Sequence, residues 1–323
     1  MPAEVTPSPS PSPSASATPQ PCPTVTPWTS MTAPAPRIGA AMTYDATLGK
    51  LLLFSGVRGD SSCQSASTWI LQNSWTWDGS SWALLHPASL PPGRSFGAMA
   101  YDGVRRTTLL FGGGAPNSDP MVSDTWTWDG KSWSQLHPSP GPATEGLITY
   151  DAASGSLLLF SGSTYSWDGR TWIDLRPAHS PSVGIPAFLA YDAAHHAAIL
   201  LTIDPVSGAT ATATWTWSGT DWRQQHPVHQ PSGATAIGAY DAKRGVVVAL
   251  IGDQTWTWNG SDWSQQHPAH SPKPRFFASA AYDPAVGKVM VFGGKIYGLA
   301  PPNTELVNNE LWGWDGTDWT RAA

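Results

Sequence analysis

WTWDGSSW, residues 75–82, returns five more times in this chain of 323 residues: WTWDGKSW at 126–133, YSWDGRTW at 165–172, WTWSGTDW at 215–222, WTWNGSDW at 256–263 and WGWDGTDW at 312–319. The copies stand about forty to fifty-five residues apart, the period of stacked or circular repeat folds. Seventeen of the 19 tryptophans lie inside the six phrases. So large a residue, used so regularly, points to a packing device repeated around a scaffold.

Each phrase closes a longer unit. A Tyr-Asp pair stands upstream of it: Tyr44-Asp45, Tyr101-Asp102, Tyr150-Asp151, Tyr191-Asp192, Tyr240-Asp241 and Tyr282-Asp283. A short apolar run follows each pair, such as LLLFSG at 51–56 or VMVFGG at 289–294. Short runs of this composition, bounded by Gly and Asp, read as strands. The unit therefore has four. Strand a ends at Tyr-Asp, strand b is the apolar run, strand c carries the first two aromatics of the phrase and strand d starts at its last Trp. The c–d turn holds Asp-Gly in four copies, a hairpin signal because Gly takes positive φ without strain. Six units of four antiparallel strands predict an all-β, six-bladed β-propeller over residues 28–323.

The units resemble the kelch-repeat family, whose fold is that of the galactose-oxidase central domain. Gly112-Gly113 and Gly293-Gly294 match the glycine pair that ends strand b in that family, and Ser55-Gly56 and Ser161-Gly162 nearly match. Unit four departs with Thr202-Ile203, unit five keeps only Gly252, and the step from Trp77 to Trp82 is shorter than the kelch step. The c–d turn also resembles the Asp-box of sialidase-type propellers. Both resemblances imply a fold and leave function open, since this fold hosts binding scaffolds and enzymes.

The repeated residues read as structural. Trp75 and Trp77 share one face of a strand, and blades pack face to face. The turn Asp is replaced by Ser218 and Asn259 in two units, and both substitutes keep a turn-forming side-chain oxygen. The histidines of the d–a connections (His86, His137, His179, His226, His229, His267, His270) are spread one or two per blade, too dispersed to converge on one metal ion. His195 and His196 lie in an a–b turn and read as solvent-exposed.

Candidate function lies where the symmetry breaks. The b–c loops are long in units one, two and six. Arg37, Arg94 and Arg275 each stand seven residues before the Tyr of the same three units, where the others have Ala143, Gly184 and Gly233. The expectation is a cationic half-ring at the channel mouth, suited to a carboxylate or acidic sugar, with Trp69 as a further ligand-binding residue. The alternative is that these arginines pair with backbone carbonyls and loops. The leading function is a non-catalytic binding or scaffold module for protein or glycan, using the b–c and d–a loop face. A glycan-active enzyme of sialidase type and a purely structural spacer stay open. For catalysis no compelling set of residues appears; Glu145 and Asp60 or Asp119 are no more than conceivable acids. No cofactor or metal is expected.

Net charge is −6, charged residues are 12% and no Lys/Arg cluster occurs, so nucleic-acid binding lacks its electrostatic footprint. No stretch suits a transmembrane helix. Residues 1–27, rich in Pro, Ser and Thr, read as a disordered stalk. With the low charge density, they predict a monomeric extracellular or cell-surface protein, although no signal peptide is seen in this chain. A Cys22–Cys63 disulfide would staple the stalk to the ring in an oxidising compartment. Trp28 resembles a seventh strand-d Trp, so either terminus could complete the last blade. The local hairpin at 312–319 favours the C-terminus.

Overall fold

The computed structural model describes residues 31–58, 70–114, 122–139, 141–143, 145–182, 184–204, 211–299 and 304–322. The expected stalk, Trp69, Asp60, Asp119 and both cysteines with their disulfide lie outside the described residues.

The described residues form six four-stranded antiparallel sheets, and none of them is helical. Blade one comprises Ala41–Asp45, Lys50–Phe54, Ser74–Trp77 and Trp82–Leu85, hydrogen-bonded in chain order as strands a to d. The other inner strands are Ala98–Asp102, Leu147–Asp151, Ile185–Asp192, Ala236–Asp241 and Ser279–Asp283. Each packs beside the next, and that of blade six packs beside that of blade one, which closes the ring. Ser279 Oγ donates to the Ala40 carbonyl across this seam at 2.6 Å. Blade six ends on its own C-terminal strand, Trp319–Arg321. Met31 packs against the core between blades six and one. The long b–c connection of blade six is not plain loop: it holds an extra hairpin, Lys295–Leu299 with Thr304–Val307.

There is one core per junction. In strand b of blade one, Leu51 and Leu53 face blade six while Leu52 and Phe54 face blade two, so strand alternation feeds both neighbours. Each blade's phrase packs against the blade before it. The Trp that ends strand c and the Trp that begins strand d pair across the hairpin in every blade, with ring centroids 5.1–5.6 Å apart. In blades two to six the strand-d indole also donates to a hydroxyl at the start of the preceding blade's strand c. Trp133 reaches Ser74, Trp172 reaches Thr125, Trp222 reaches Thr164, Trp263 reaches Thr214 and Trp319 reaches Thr255, at 2.8–3.3 Å. Only the closing seam lacks this bolt, because Leu311 fills the slot facing Trp82; Trp82 keeps the contact with a strand-b Phe, Phe292, that Trp133, Trp172 and Trp222 also make at their junctions.

The turn Asp is structural. Asp78 Oδ1 accepts the backbone N–H groups of Ser80 and Ser81 at 2.9 and 2.8 Å, and Asn259 does the same for Ser261 and Asp262. These N–H groups hold the exposed Asp78 carboxyl well below the usual range.

Candidate functional site

The three arginines open the inner strands of blades six, one and two, yet they lie beneath the mouth, 1–3% exposed. Each turns back on its own blade. Arg94 Nε donates to the Pro92 carbonyl, Nη1 to the Gly112 carbonyl at 2.9 Å, and Nη1 and Nη2 grip Asp124 at 2.5 and 2.9 Å. Arg275 donates to the carbonyls of Lys273 and Gly293, to Asn308 and to Glu310. Arg37 donates to the carbonyls of Ala35 and Ser55 and to Asn73 Oδ1. Burial works to raise the Asp124 and Glu310 carboxyls. The arginine on each, with the indole N–H of Trp126 or Trp312, more than offsets it and holds both below the ordinary range.

What this arc presents to solvent comes two residues later. Gly39, Phe96 and Phe277 occupy equivalent places after Arg37, Arg94 and Arg275, and all three have left-handed backbone, φ +61°, +59° and +60°. A bulky side chain there is strained by roughly 1–3 kcal/mol and persists only where surroundings impose it. Here two backbone bonds impose it: Gly39 N–H donates to the Phe277 carbonyl and Phe96 N–H to the Gly39 carbonyl, both at 2.8 Å. The two rings meet edge to face over the glycine, centroids 5.1 Å apart, while 39% and 49% exposed. A Cβ on Gly39 would sit 3.1 Å from the Phe96 nitrogen, so this place admits no side chain without displacing the pair.

The same slot in blade three is Glu145, exposed, its carboxyl pushed up by desolvation. In blades four and five it is Pro186 and Thr235. Further exposed apolar side chains stand on the same loop side: Val122 before strand c of blade two, Leu306 on the extra hairpin and Ile185 at the start of blade four. The sequence reading missed the Phe pair. Its signal was an aromatic two residues after each Arg where blade one has Gly.

The other half of the ring is tied differently. His179, His229 and His270 leave blades three, four and five and bind the next blade through Asp221, Asp262 and Asp318. In each tie the backbone N–H donates to Oδ1, and Nδ1 meets Oδ2 at 2.6–2.8 Å. The histidines' side chains and backbone N–H groups hold all three carboxyls below the ordinary range. His195 is not simply solvated: it pairs with the buried Asp192 at 2.8 Å, as Arg105 and Arg244 pair with Asp102 and Asp241. Among the described residues no three His, Cys, Asp or Glu side chains come together to hold a metal ion. A cleft of about 380 Å³ opens at the seam, away from the mouth, beside Trp77, Lys288, Met290 and Gly313.

No family model matches the chain, and no curated protein matches it. Solved structures do. The structure of YjhT aligns with a TM-score of 0.63 at 12% identity, over 90% of this chain and 99% of that one. YCF48 bound to D1 peptide aligns with a TM-score of 0.50 at 14% identity, over 94% of this chain and 86% of that one. At these identities the likeness is one of fold, and in this chain that fold is an all-β six-bladed propeller.

Proposed function

We propose that this chain is a non-catalytic, extracellular or surface-tethered propeller of kelch-like type that binds a protein or peptide at the mouth formed by blades six, one and two. The observation that carries this reading is the Phe96–Phe277 pair, held in strained backbone and left in solvent. Strain of this kind, at exposed aromatics with more apolar side chains around them, is a mark of binding surfaces rather than of packing. YCF48, a propeller of similar fold, was solved with a peptide bound, which favours a peptide as the ligand class over a glycan. In this reading the three arginines position the mouth from beneath it.

The test is peptide display panned on the immobilised protein, followed by titration of the recovered peptides against Phe96→Gly/Phe277→Gly. Glycine accepts the left-handed backbone, so the variant keeps its fold. At least a tenfold loss of affinity is expected. Equal binding to the variant would place the site elsewhere.

A further inference from the structure

The junction that closes the ring is fastened unevenly. On the mouth side it is stitched. Gly39 N–H donates to the Phe277 carbonyl, Arg37 N–H to the Asn308 carbonyl and Gly294 N–H to the Arg37 carbonyl, at 2.8–3.2 Å. On the side of the a–b and c–d turns it is loose. Gly313 stands where the other five phrases have Thr or Ser, and the cleft opens between Trp77 and Gly79 of blade one and Val286 and Met290 of blade six. The junction also lacks the indole bolt.

The turn side holds an acid that the repeat leaves unpaired. In every blade the Asp that ends strand a caps its a–b turn, its Oδ1 accepting the N–H two residues on. The other oxygen meets a donor of its own in blades one, two, four and five. Arg105, His195 and Arg244, each three residues on, reach Asp102, Asp192 and Asp241 at 2.6–2.8 Å, and Thr108 of the next blade donates to Asp45 at 2.9 Å. In blade six Val286 holds the place three residues on, and Leu51 of blade one holds the place of Thr108. Asp283 is 1% exposed and its Oδ2 has no partner.

The charged and titratable groups on the elements packed around Asp283 are Tyr44, Asp45 and Lys50 of blade one, Asp241, Lys243 and Arg244 of blade five, and Tyr282 and Lys288 of its own hairpin. Arg244 is engaged by Asp241 and the Gly287 carbonyl, and Lys288 Nζ donates to Thr320 Oγ1. Arg321, which lines the cleft, pairs with Glu310. Burial pushes the Asp283 carboxyl up, against the pull of the Ala285 and Val286 N–H groups. A buried carboxylate oxygen without a donor is costly while charged and much less so as a neutral acid.

We propose that the turn side of the closing seam is a proton-operated latch: Asp283 binds a proton in the closed ring, and its ionisation loosens blade six from blade one beside the cleft. Below the ordinary carboxylate value, near 4, the acid is neutral in the folded and the unfolded chain and shifts nothing. Above it the unfolded chain loses the proton first, so closure weakens as pH rises until the folded acid has ionised as well. The direction is opposite to that of the His–Asp ties. The latch lies at the other end of the strands from the mouth and does not depend on the mouth being the binding face.

The test is thermal unfolding of the full chain from about pH 4 to about pH 8. Asp283→Asn removes the charge and keeps an Oδ1 for the turn N–H, as Asn259 does in its own turn. Val286→Arg supplies the donor that blades two and five have, with room over Gly79 such as Arg105 and Arg244 take over Gly169 and Gly316. At the alkaline end each variant should raise Tm by about 2 °C or more. Both gains should shrink towards zero at the acid end. Hydrogen exchange, corrected for intrinsic rate, should show the wild type opening at alkaline pH in residues 74–82, 284–290 and 311–314, with Asp283→Asn protected at both ends. If Asp283→Asn does not fold, Val286→Arg decides alone. Failure of either folded variant to gain at the alkaline end, an equal gain at both ends, or pH-dependent exchange spread evenly over the six junctions would overturn the proposal.

Discussion

Blades six, one and two are fastened at the mouth by buried arginines. The junctions from blade three to blade six are fastened at the rim by exposed histidines. The two fastenings differ in what they leave over. A His–Asp tie such as His270–Asp318 stands in solvent, is screened by salt and shapes nothing beyond the connector it holds. An arginine clamp such as Arg94–Asp124 is buried and holds the backbone that forces Phe96 into its left-handed conformation two residues on. One half of the ring is therefore closed, while the other is closed and shaped.

Removing a clamp should do far more damage than removing a tie. Arg94→Ala leaves the half-buried Asp124 carboxylate with the Trp126 indole but without its guanidinium. Breaking such a pair destabilises by about 3–5 kcal/mol, read from urea unfolding. Arg37→Ala should cost clearly less, since it strands no acid and removes an unpaired charge. Equal losses would mean that blade one is not short of a carboxylate.

Thr214→Val, nearly isosteric and fully buried, takes the acceptor from the Trp263 indole. A cost of about 1–3 kcal/mol is expected for the stranded N–H, by the same measurement. Phe96→Gly/Phe277→Gly should leave stability level or higher, because relief of backbone strain offsets the lost ring contact. A drop of several kcal/mol would make the pair a structural element.

The smallest effect belongs to the triple variant His179→Ala/His229→Ala/His270→Ala, and it should depend on pH. Asp221, Asp262 and Asp318 titrate below their unfolded range when folded. Their contribution is thus fully present above the ordinary carboxylate pKa, near 4, and fades as pH falls through the lowered values. The Tm difference between wild type and variant should shrink on acidification through that window. A difference independent of pH down to 2 would show that the ties act through packing alone.

The blades were legible in the sequence because a strand's face alternates with period two and a hairpin turn has its own residues. The six phrases, four of them with Trp-Asp-Gly, and the Tyr-Asp pairs located the four strands of each blade, and the replacements Ser218 and Asn259 marked the turn position as structural. The bolts were visible only in part. Ser74, Thr125, Thr164, Thr214 and Thr255 gain meaning once the indole of the next blade is seen to reach them. The extra hairpin in blade six was hidden because its strands, Lys295–Leu299 and Thr304–Val307, are short and carry no repeat signature. The Phe pair was hidden for a different reason. Phe96 and Phe277 look like ordinary strand residues, and only the backbone bonds through Gly39 put them in left-handed conformation. The arginine slots were read correctly in register, but their burial depends on loops whose course no local pattern dictates.

Amide hydrogen exchange, with and without a peptide recovered by panning, tests the division of the ring most directly. Protection is expected in residues 35–40, 93–98, 274–279 and 306–310, with blades three to five and all a–b turns unchanged. Protection centred on the His–Asp connectors, or spread evenly over six blades, would contradict it.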